Sequence, residues 1–221
     1  IICTLGHVLS CAMTGYAFAR YKFRFKGALF AMVILTMLVP VQTVIIPQYM
    51  QFSNWGWLNS EYYLPLVVPS FLGFGLNGAF FIFLFRQFFS GMPYEMEEAA
   101  RVDGCGPIRT FLHIMLPMSQ SSLLVCTVLS IVWHWNDYFE PGVYFNSVWL
   151  KMLPNSLPNL YAELNKEQHT MIQTTDIEGI IVNEAILMAA TFLCILPILI
   201  LDLILQKRFM EGVERSGLTG I

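Results

Sequence analysis

Long apolar runs alternate with polar connections along most of the chain. Five runs, residues 1–19, 27–46, 64–85, 116–135 and 185–205, are rich in Leu, Ile, Val and Phe and carry almost no charge. The hydrocarbon core of a bilayer is about 30 Å thick, and an α-helix needs roughly 20 apolar residues to cross it. The pattern therefore predicts one all-α, polytopic transmembrane bundle over residues 1–221, with about five spans in this chain.

The distribution of positive charge predicts how the spans are oriented. Basic residues concentrate after the first, third and fifth runs, whereas the other two connections hold only Lys151 and Lys166. The basic residues of the three richer connections are Arg20, Lys22, Arg24, Lys26, Arg86, Arg101, Arg109, Lys207, Arg208 and Arg215. Since Lys and Arg favour cytoplasmic connections, we expect the first residue outside and the C-terminus in the cytoplasm.

Composition supports the membrane assignment and excludes other classes of partner. The 221 residues are 56% hydrophobic and only 12% charged, with a mean hydropathy of +0.60, which leaves too little polar surface for a soluble globule. The net charge of −3 at pH 7 and the lack of a basic patch argue against nucleic acid. No cysteine spacing is typical of a metal site, so we expect no metal.

The predicted third span contains residues that interrupt helices. Pro69, Gly73, Gly75, Asn77 and Gly78 all fall within it. Small residues let membrane helices pack closely, and Pro or Gly permits the broken turns that line cavities. Asn77 could make one interhelical hydrogen bond or take part in a solute pathway.

An acidic segment separates the third and fourth runs. The residues "PYEMEEAARVDGCG" (93–106) predict a helix of about three turns that starts at Pro93, carries acids in its first turn and ends at Gly104. Glu97 and Arg101 have the spacing of an i,i+4 ion pair. A second short amphipathic helix should run from Pro107 to Pro117, with one apolar face formed by Ile108, Phe111, Leu112 and Met115. The segment could be a solvated loop, or its small Ala99-Ala100 surface could insert into a groove on another protein.

The same segment resembles the EAA loop of the membrane subunits of ABC importers. The fixed positions of that pattern are matched by Glu98, Ala99, Ala100, Gly104, Ile114, Leu116 and Pro117. Three further stretches are similar to carbohydrate-type permeases: "GYAFARYKF" (15–23), "WNDYFEP" (135–141) and "QKRFMEGVERSGLTG" (206–220). The chain is thus similar to the permease subunits of carbohydrate-type ABC importers, and within them to the second inner-membrane subunit of maltose-type transporters.

The resemblance implies a mechanism, partners and site residues. Residues 93–116 would form a cytoplasmic coupling loop that docks on an ATPase subunit, with Glu98, Ala99, Ala100, Asp103 and Gly104 in that contact. The implied partners are a second permease subunit, two cytoplasmic ATPase subunits, an extracellular solute-binding protein and the lipid bilayer of a bacterial-type cell membrane. ATP-Mg would be bound by the ATPase subunits, and the solute would be a sugar or oligosaccharide.

Several features bear on this interpretation. The chain has no G-x-x-x-x-G-K-[ST] phosphate loop, so we expect no cofactor bound by this chain and ATP hydrolysis in a partner. The family usually has a further span before the point where this chain starts, so we expect one N-terminal span to be missing. The outer connection 141–183 could contact the binding protein or be a surface loop. The alternatives are an ion-gradient-driven secondary transporter and a membrane-embedded enzyme that uses His134 and Asp137.

Overall fold

The protein is helical throughout the part that the structure describes. The computed structural model describes residues 1–147, 150–157 and 184–218, and no strand occurs in these three ranges. The predicted all-α fold is therefore confirmed. The helices are α1 (Ile2–Arg20), α2 (Lys26–Leu38), α3 (Val41–Asn54), α4 (Leu64–Phe71), α5 (Gly78–Ser90), α6 (Glu95–Val102), α7 (Pro107–Thr110), a π-helical segment (Phe111–Met115), α8 (Leu116–Met118), α9 (Gln120–Asn136), α10 (Phe139–Tyr144) and α11 (Glu184–Leu218).

Two of these helices could cross a bilayer unaided. They are α1 and the Leu187–Gln206 part of α11, which confirm the first and fifth predicted spans as single helices. The number of possible spans in the described ranges rises to four if each of two sharply bent helix pairs is counted as one span. The apolar helix α5 is shorter than a span, at 13 residues.

The predicted second span is not one continuous helix, because the chain turns at Pro40. α2 ends at Leu38, and α3 leaves it at an angle of 101°. The proline ring disfavours the helical conformation in the preceding residue, and Val39 accordingly takes an extended backbone with φ −83° and ψ 115°. The predicted second span, residues 27–46, is therefore broken at Pro40, and α2 and α3 are long enough to cross a bilayer only if the bent pair is counted together.

The third and fourth predicted spans are also interrupted. Residues 64–85 form α4 and α5 with a turn at 72–77, where Gly73 (φ +77°) and Asn77 (φ +56°) have left-handed backbones that cannot continue a helix. The chain bends by 83° at Ser119, between α8 and α9. The second short helix therefore ends at Met118 rather than Pro117, and the long apolar helix after it begins at Gln120.

Helix α1 is the central element of the bundle. It packs against α4, α5 and α9, while α2 covers α5 and α11 covers α9. The crossing with α5 is close because Gly15 has no side chain: a Cβ there would lie 2.6 Å from Phe85 Cβ and 2.9 Å from the Arg86 backbone nitrogen. Cys11 and Ala12 are fully buried at the same crossing. Small residues of α1 thus allow this close crossing, although the sequence predicts such packing for the third run and not for the first.

We expect Gly15→Ala to destabilise the bundle, since the added methyl group would push α1 away from the α5 backbone. Overpacking of this kind costs about 1–3 kcal/mol. Gly27→Ala is the matched control, because no atom lies within 4 Å of a Cβ at Gly27. The free energy of unfolding of the purified chain, measured by SDS titration in mild detergent, should fall for Gly15→Ala and not for Gly27→Ala. Equal stability of the two variants would contradict the close crossing.

Candidate functional site

Helix α6 of the predicted coupling loop ends at a left-handed glycine. The N–H of Cys105 donates to the carbonyl of Ala100 at 2.9 Å, and the N–H of Gly104 donates to the carbonyl of Arg101 at 3.0 Å. These two bonds form a Schellman motif, which needs a positive φ at the residue after the cap. Gly104 supplies it with φ +75°. The predicted helix end is confirmed, but the helix begins at Glu95 rather than Pro93 and has eight residues.

The two sides of α6 have different environments. Glu95, Glu98, Ala99 and Val102 are exposed and follow the i, i+3, i+4, i+7 spacing of one helix face. Glu97 and Ala100, on the opposite side, are each 2% exposed. The predicted Ala99-Ala100 surface is therefore divided: Ala99 faces outward, whereas Ala100 packs into the chain. Asp103 and Gly104 are exposed at the turn that follows.

Glu97 pairs with Arg20 at the end of α1. Arg20 Nε lies 3.1 Å from Glu97 Oε1, and the two side chains are only 1% and 3% exposed. The predicted pair with Arg101 is wrong, because Glu97 points into the bundle while Arg101 is exposed. The two charges are out of water, so each depends on the other for its stabilisation.

Arg20 also holds the segment that leads into α6. Its Nη2 donates to the carbonyl of Met92, and its guanidinium carbon lies 4.5 Å from the centre of the Tyr94 ring. The Tyr94 hydroxyl donates in return to the Arg20 carbonyl at 3.3 Å. The end of α1 thus contacts three residues between 92 and 97.

The second short helix, residues 107–118, also has buried and exposed residues on different sides. Phe111 and Met115 are buried, and the Phe111 ring lies 5.1 Å from the Tyr16 ring of α1. Ile108 and Leu112 are 72% and 45% exposed. The predicted single apolar face is therefore wrong. The π-helical turn, wider than an α-helical one, starts at Phe111 and changes the angular spacing on which that prediction relied.

Asn77 has a backbone role in the structure. It precedes α5 with a left-handed φ of +56° and makes no side-chain cap to that helix. Its side chain is exposed, and it is not among the described residues that line the cavity discussed next. A role for Asn77 in a solute pathway stays a prediction.

A cavity of about 400 Å³ lies at the other end of α1. Its walls come from the start of α1, from α3, α4, α9, α10 and α11, and from the turn at 72–77. Aromatic rings of Phe52 and Trp135 form part of the wall. Its polar side chains are Thr4, Gln48, Ser70, His134, Asp137, Glu140 and Tyr144.

Two carboxyl groups face this cavity at the start of α10. Burial raises the pKa of Asp137 from its ordinary value, against the lowering effect of the Glu140 and Phe139 backbone N–H groups. Burial, reinforced by the charge of Asp137, raises the pKa of Glu140 to about 7. Glu140 therefore changes its charge close to neutral pH.

Comparison with known proteins assigns the chain to a transport family. Residues 11–214 match the family described as "Binding-protein-dependent transport system inner membrane component". The chain belongs to this family.

The matched region of the permease spans about two thirds of the length of its curated relatives. The permease is 29% identical over 213 residues to the sn-glycerol-3-phosphate transport system permease protein UgpE of Shigella flexneri serotype 5b, which covers 96% of this chain and 68% of that protein. It is 30% identical over 210 residues to the probable ABC transporter permease protein PH1036 of Pyrococcus horikoshii, covering 95% and 68%.

A solved structure shares the fold of the permease. The match is to a chain in the crystal structure of a bacterial ABC transporter involved in the import of the acidic polysaccharide alginate, with a TM-score of 0.69 and 23% identity. It covers 94% of this chain and 73% of that one. The resemblance to ABC-importer permeases is therefore confirmed, and the family is a membrane component rather than an enzyme. The enzyme interpretation of His134 and Asp137 has no support from these relatives.

Arg20 is not among the residues that the sequence predicts for the coupling loop. The sequence places Arg20 in a basic connection, and residues 15–23 indicate only a family resemblance. The available signal was the position of Arg20 directly after an apolar run in "GYAFAR", followed 77 positions later by Glu97 beside Glu98. The connection 141–183 lies mostly outside the described residues, as does the end of the 206–220 stretch.

We expect Gly104→Ala to loosen the end of α6, because a left-handed backbone costs about 1–2 kcal/mol for a residue with a Cβ. Hydrogen exchange at the Cys105 amide should accelerate by roughly 5- to 30-fold if the Schellman bonds open more often. Gly106→Ala is the matched control, since Gly106 has φ −72° and open space around it. Unchanged exchange in Gly104→Ala would contradict the assigned role.

We expect Glu140 to make the stability of the permease depend on pH. Its folded pKa of about 7 lies above the unfolded value of 4.5, so its contribution is fully present below pH 4.5 and is lost as the pH rises to 7. Glu140→Gln removes this dependence. Unfolding midpoints of both proteins, measured from pH 4 to pH 8, should show the wild type losing stability relative to the variant up to about pH 7 and levelling off above it. A constant difference between them would show that Glu140 titrates normally.

Proposed function

We propose that this permease is one of two membrane subunits of an ATP-driven importer and that its coupling loop, residues 93–116, docks on a cytoplasmic ATPase subunit. The observation that carries this proposal is the two-sided environment of α6. One face is fixed inside the bundle, and the other presents Glu98, Ala99 and Val102 to the outside.

The outer face of α6 has the chemistry of a docking surface. Val102 is 88% exposed, and Ile108 after the glycine turn is 72% exposed. Large exposed apolar side chains close to a smooth alanine suit insertion of a helix into an apolar groove. Glu98 adds a charge that could pair with a basic residue at the rim. In this arrangement Asp103 and Gly104 form the exit turn, and Ala100 supports the helix from inside rather than touching the partner.

We infer the remaining parts of the importer from the general composition of such transport systems. ATP and Mg²⁺ are held by the ATPase subunits, while an extracellular binding protein delivers the solute. Residues 1–221 all belong to one membrane domain, which has a further span before residue 1, and residue 221 lies on the same cytoplasmic side as the coupling loop. This orientation rests on the placement of Lys and Arg along the sequence.

A polyhydroxylated solute, a sugar or oligosaccharide, fits the side chains of the cavity. Carboxyl and amide groups such as Asp137, Glu140 and Gln48 can exchange hydrogen bonds with hydroxyl groups, and the ring of Trp135 offers an apolar surface for a sugar face. A pocket with a few polar groups among apolar side chains is the usual form of a small-molecule site.

We expect Ala99→Trp to weaken ATPase binding, because the indole would occupy the space into which the partner packs. A lost central contact costs about 2 kcal/mol or more, which corresponds to roughly 30-fold weaker association. The measurement is the amount of ATPase subunit that co-purifies with the permease from detergent-solubilised membranes. Lys22→Trp, an equally bulky change at an exposed position of the connection after α1, should leave it unchanged. If the ATPase subunit co-purifies fully with Ala99→Trp, α6 is not part of the interface.

A further inference from the structure

Helix α1 connects the two regions that transport must coordinate. Thr4, near its beginning, lines the cavity, and Arg20, at its end, contacts the coupling loop. Arg20 follows Thr4 by 16 positions, which corresponds to about 24 Å at the rise of an α-helix. α1 is a single unbroken helix, and it packs on α4, α5 and α9 along this length.

The junction between α1 and α6 depends on one side chain. Arg20 pairs with Glu97 of α6, donates to the carbonyl of Met92 and stacks on Tyr94. A guanidinium group has a rigid, planar set of donors, so several partners fix its orientation more firmly than a single contact would. Because both charges are buried, neither can move away from the other without being left unpaired inside the protein.

We infer that Arg20 is the positioning residue that locks the coupling helix α6 to α1, so that a displacement of α6 is carried along α1 to the cavity. This inference rests on the proposed function, because the displacement must come from an ATPase subunit. It also gives a role to the 15–23 segment: Arg20, from that segment, meets Glu97, which directly precedes the EAA positions.

The test uses the assembled importer in proteoliposomes and a native thiol as the reporter. Cys3 lines the cavity and is partly exposed, whereas Cys11 and Cys126 are fully buried. Mass spectrometry distinguishes Cys3 from the two other partly exposed thiols, Cys105 and Cys194, so the background protein keeps all five native cysteines. The measurement is the rate of Cys3 modification by N-ethylmaleimide, followed by mass spectrometry, with and without ATP-Mg and vanadate.

In the background protein, trapping the ATPase should change the Cys3 rate by roughly fivefold or more, the lower end of the range for coupled sites. Arg20→Gln should abolish this change while the ATPase subunit still co-purifies and hydrolyses ATP. Arg24→Gln, at an exposed position four residues later, is the matched control and should behave as the background does. A role of Arg20 in stability alone would leave the ATP-induced change in place in those molecules that fold.

A second variant tests the inference independently in case Arg20→Gln does not fold. Arg20→Met combined with Glu97→Leu replaces the buried pair by apolar groups of similar size, which proteins often tolerate without loss of stability. It should assemble and still lose the response at Cys3. Retention of the full response in either folded variant would overturn the inference and leave the proposed function intact. If the background protein itself neither binds an ATPase subunit nor responds to ATP, the proposed function is what fails.

Discussion

The buried ion pair between Arg20 and Glu97 is the constraint on which the arrangement of the coupling loop depends. Two opposite charges in a site closed to water are stable only together and only in a narrow geometry. Since Glu97 must face Arg20, the rotation of α6 about its own axis is fixed. Ala100, one turn further on, is then buried as well, and the face that holds Glu98, Ala99 and Val102 must point away from the bundle. One contact between distant parts of the chain thereby determines which residues a partner can reach.

Packing around α1 holds the helix in place from the ion pair at its end to the cavity at its beginning. Gly15 lets α1 approach the α5 backbone closely, and Tyr16 contacts both Phe89 of α5 and Phe111 of the π-helical segment. The end of α1 is therefore held by aromatic packing on one side and by the ion pair on the other. Its beginning lies against the cavity, beside the broken turn at 72–77. A rigid helix between the proposed docking surface and the cavity is the simplest physical path by which two such sites could influence each other.

The sequence predicts features of this fold that local composition controls, and it fails where distant residues decide. Apolar runs predict the helical class and the two unbroken helices, and Gly104 predicts the end of α6, because a left-handed turn is a property of one residue. Proline and glycine in the sequence indicate the breaks near Pro40 and at 72–77. The length of an apolar run does not reveal these breaks, because the run continues through each of them. The Glu97 partner could not be found by i,i+4 spacing, since the choice between Arg101 and Arg20 depends on which face of α6 is buried. The exposure of Ala99 and the burial of Ala100 could not be predicted for the same reason, since they too depend on which face of α6 is buried.

The short length of α6 links its anchoring to its proposed docking. A helix of eight residues is unstable alone in water, because the cost of nucleating it exceeds what so few hydrogen bonds return. Its order must therefore come from contacts of its inner face, from the Schellman end at Gly104 and from the acids of its first turn. A surface that is already ordered loses less conformational entropy when a partner binds it. In the proposed function, the contacts that join α6 to α1 would serve two purposes: they would hold the outer face ready for a partner, and they would pass a displacement of that face to α1.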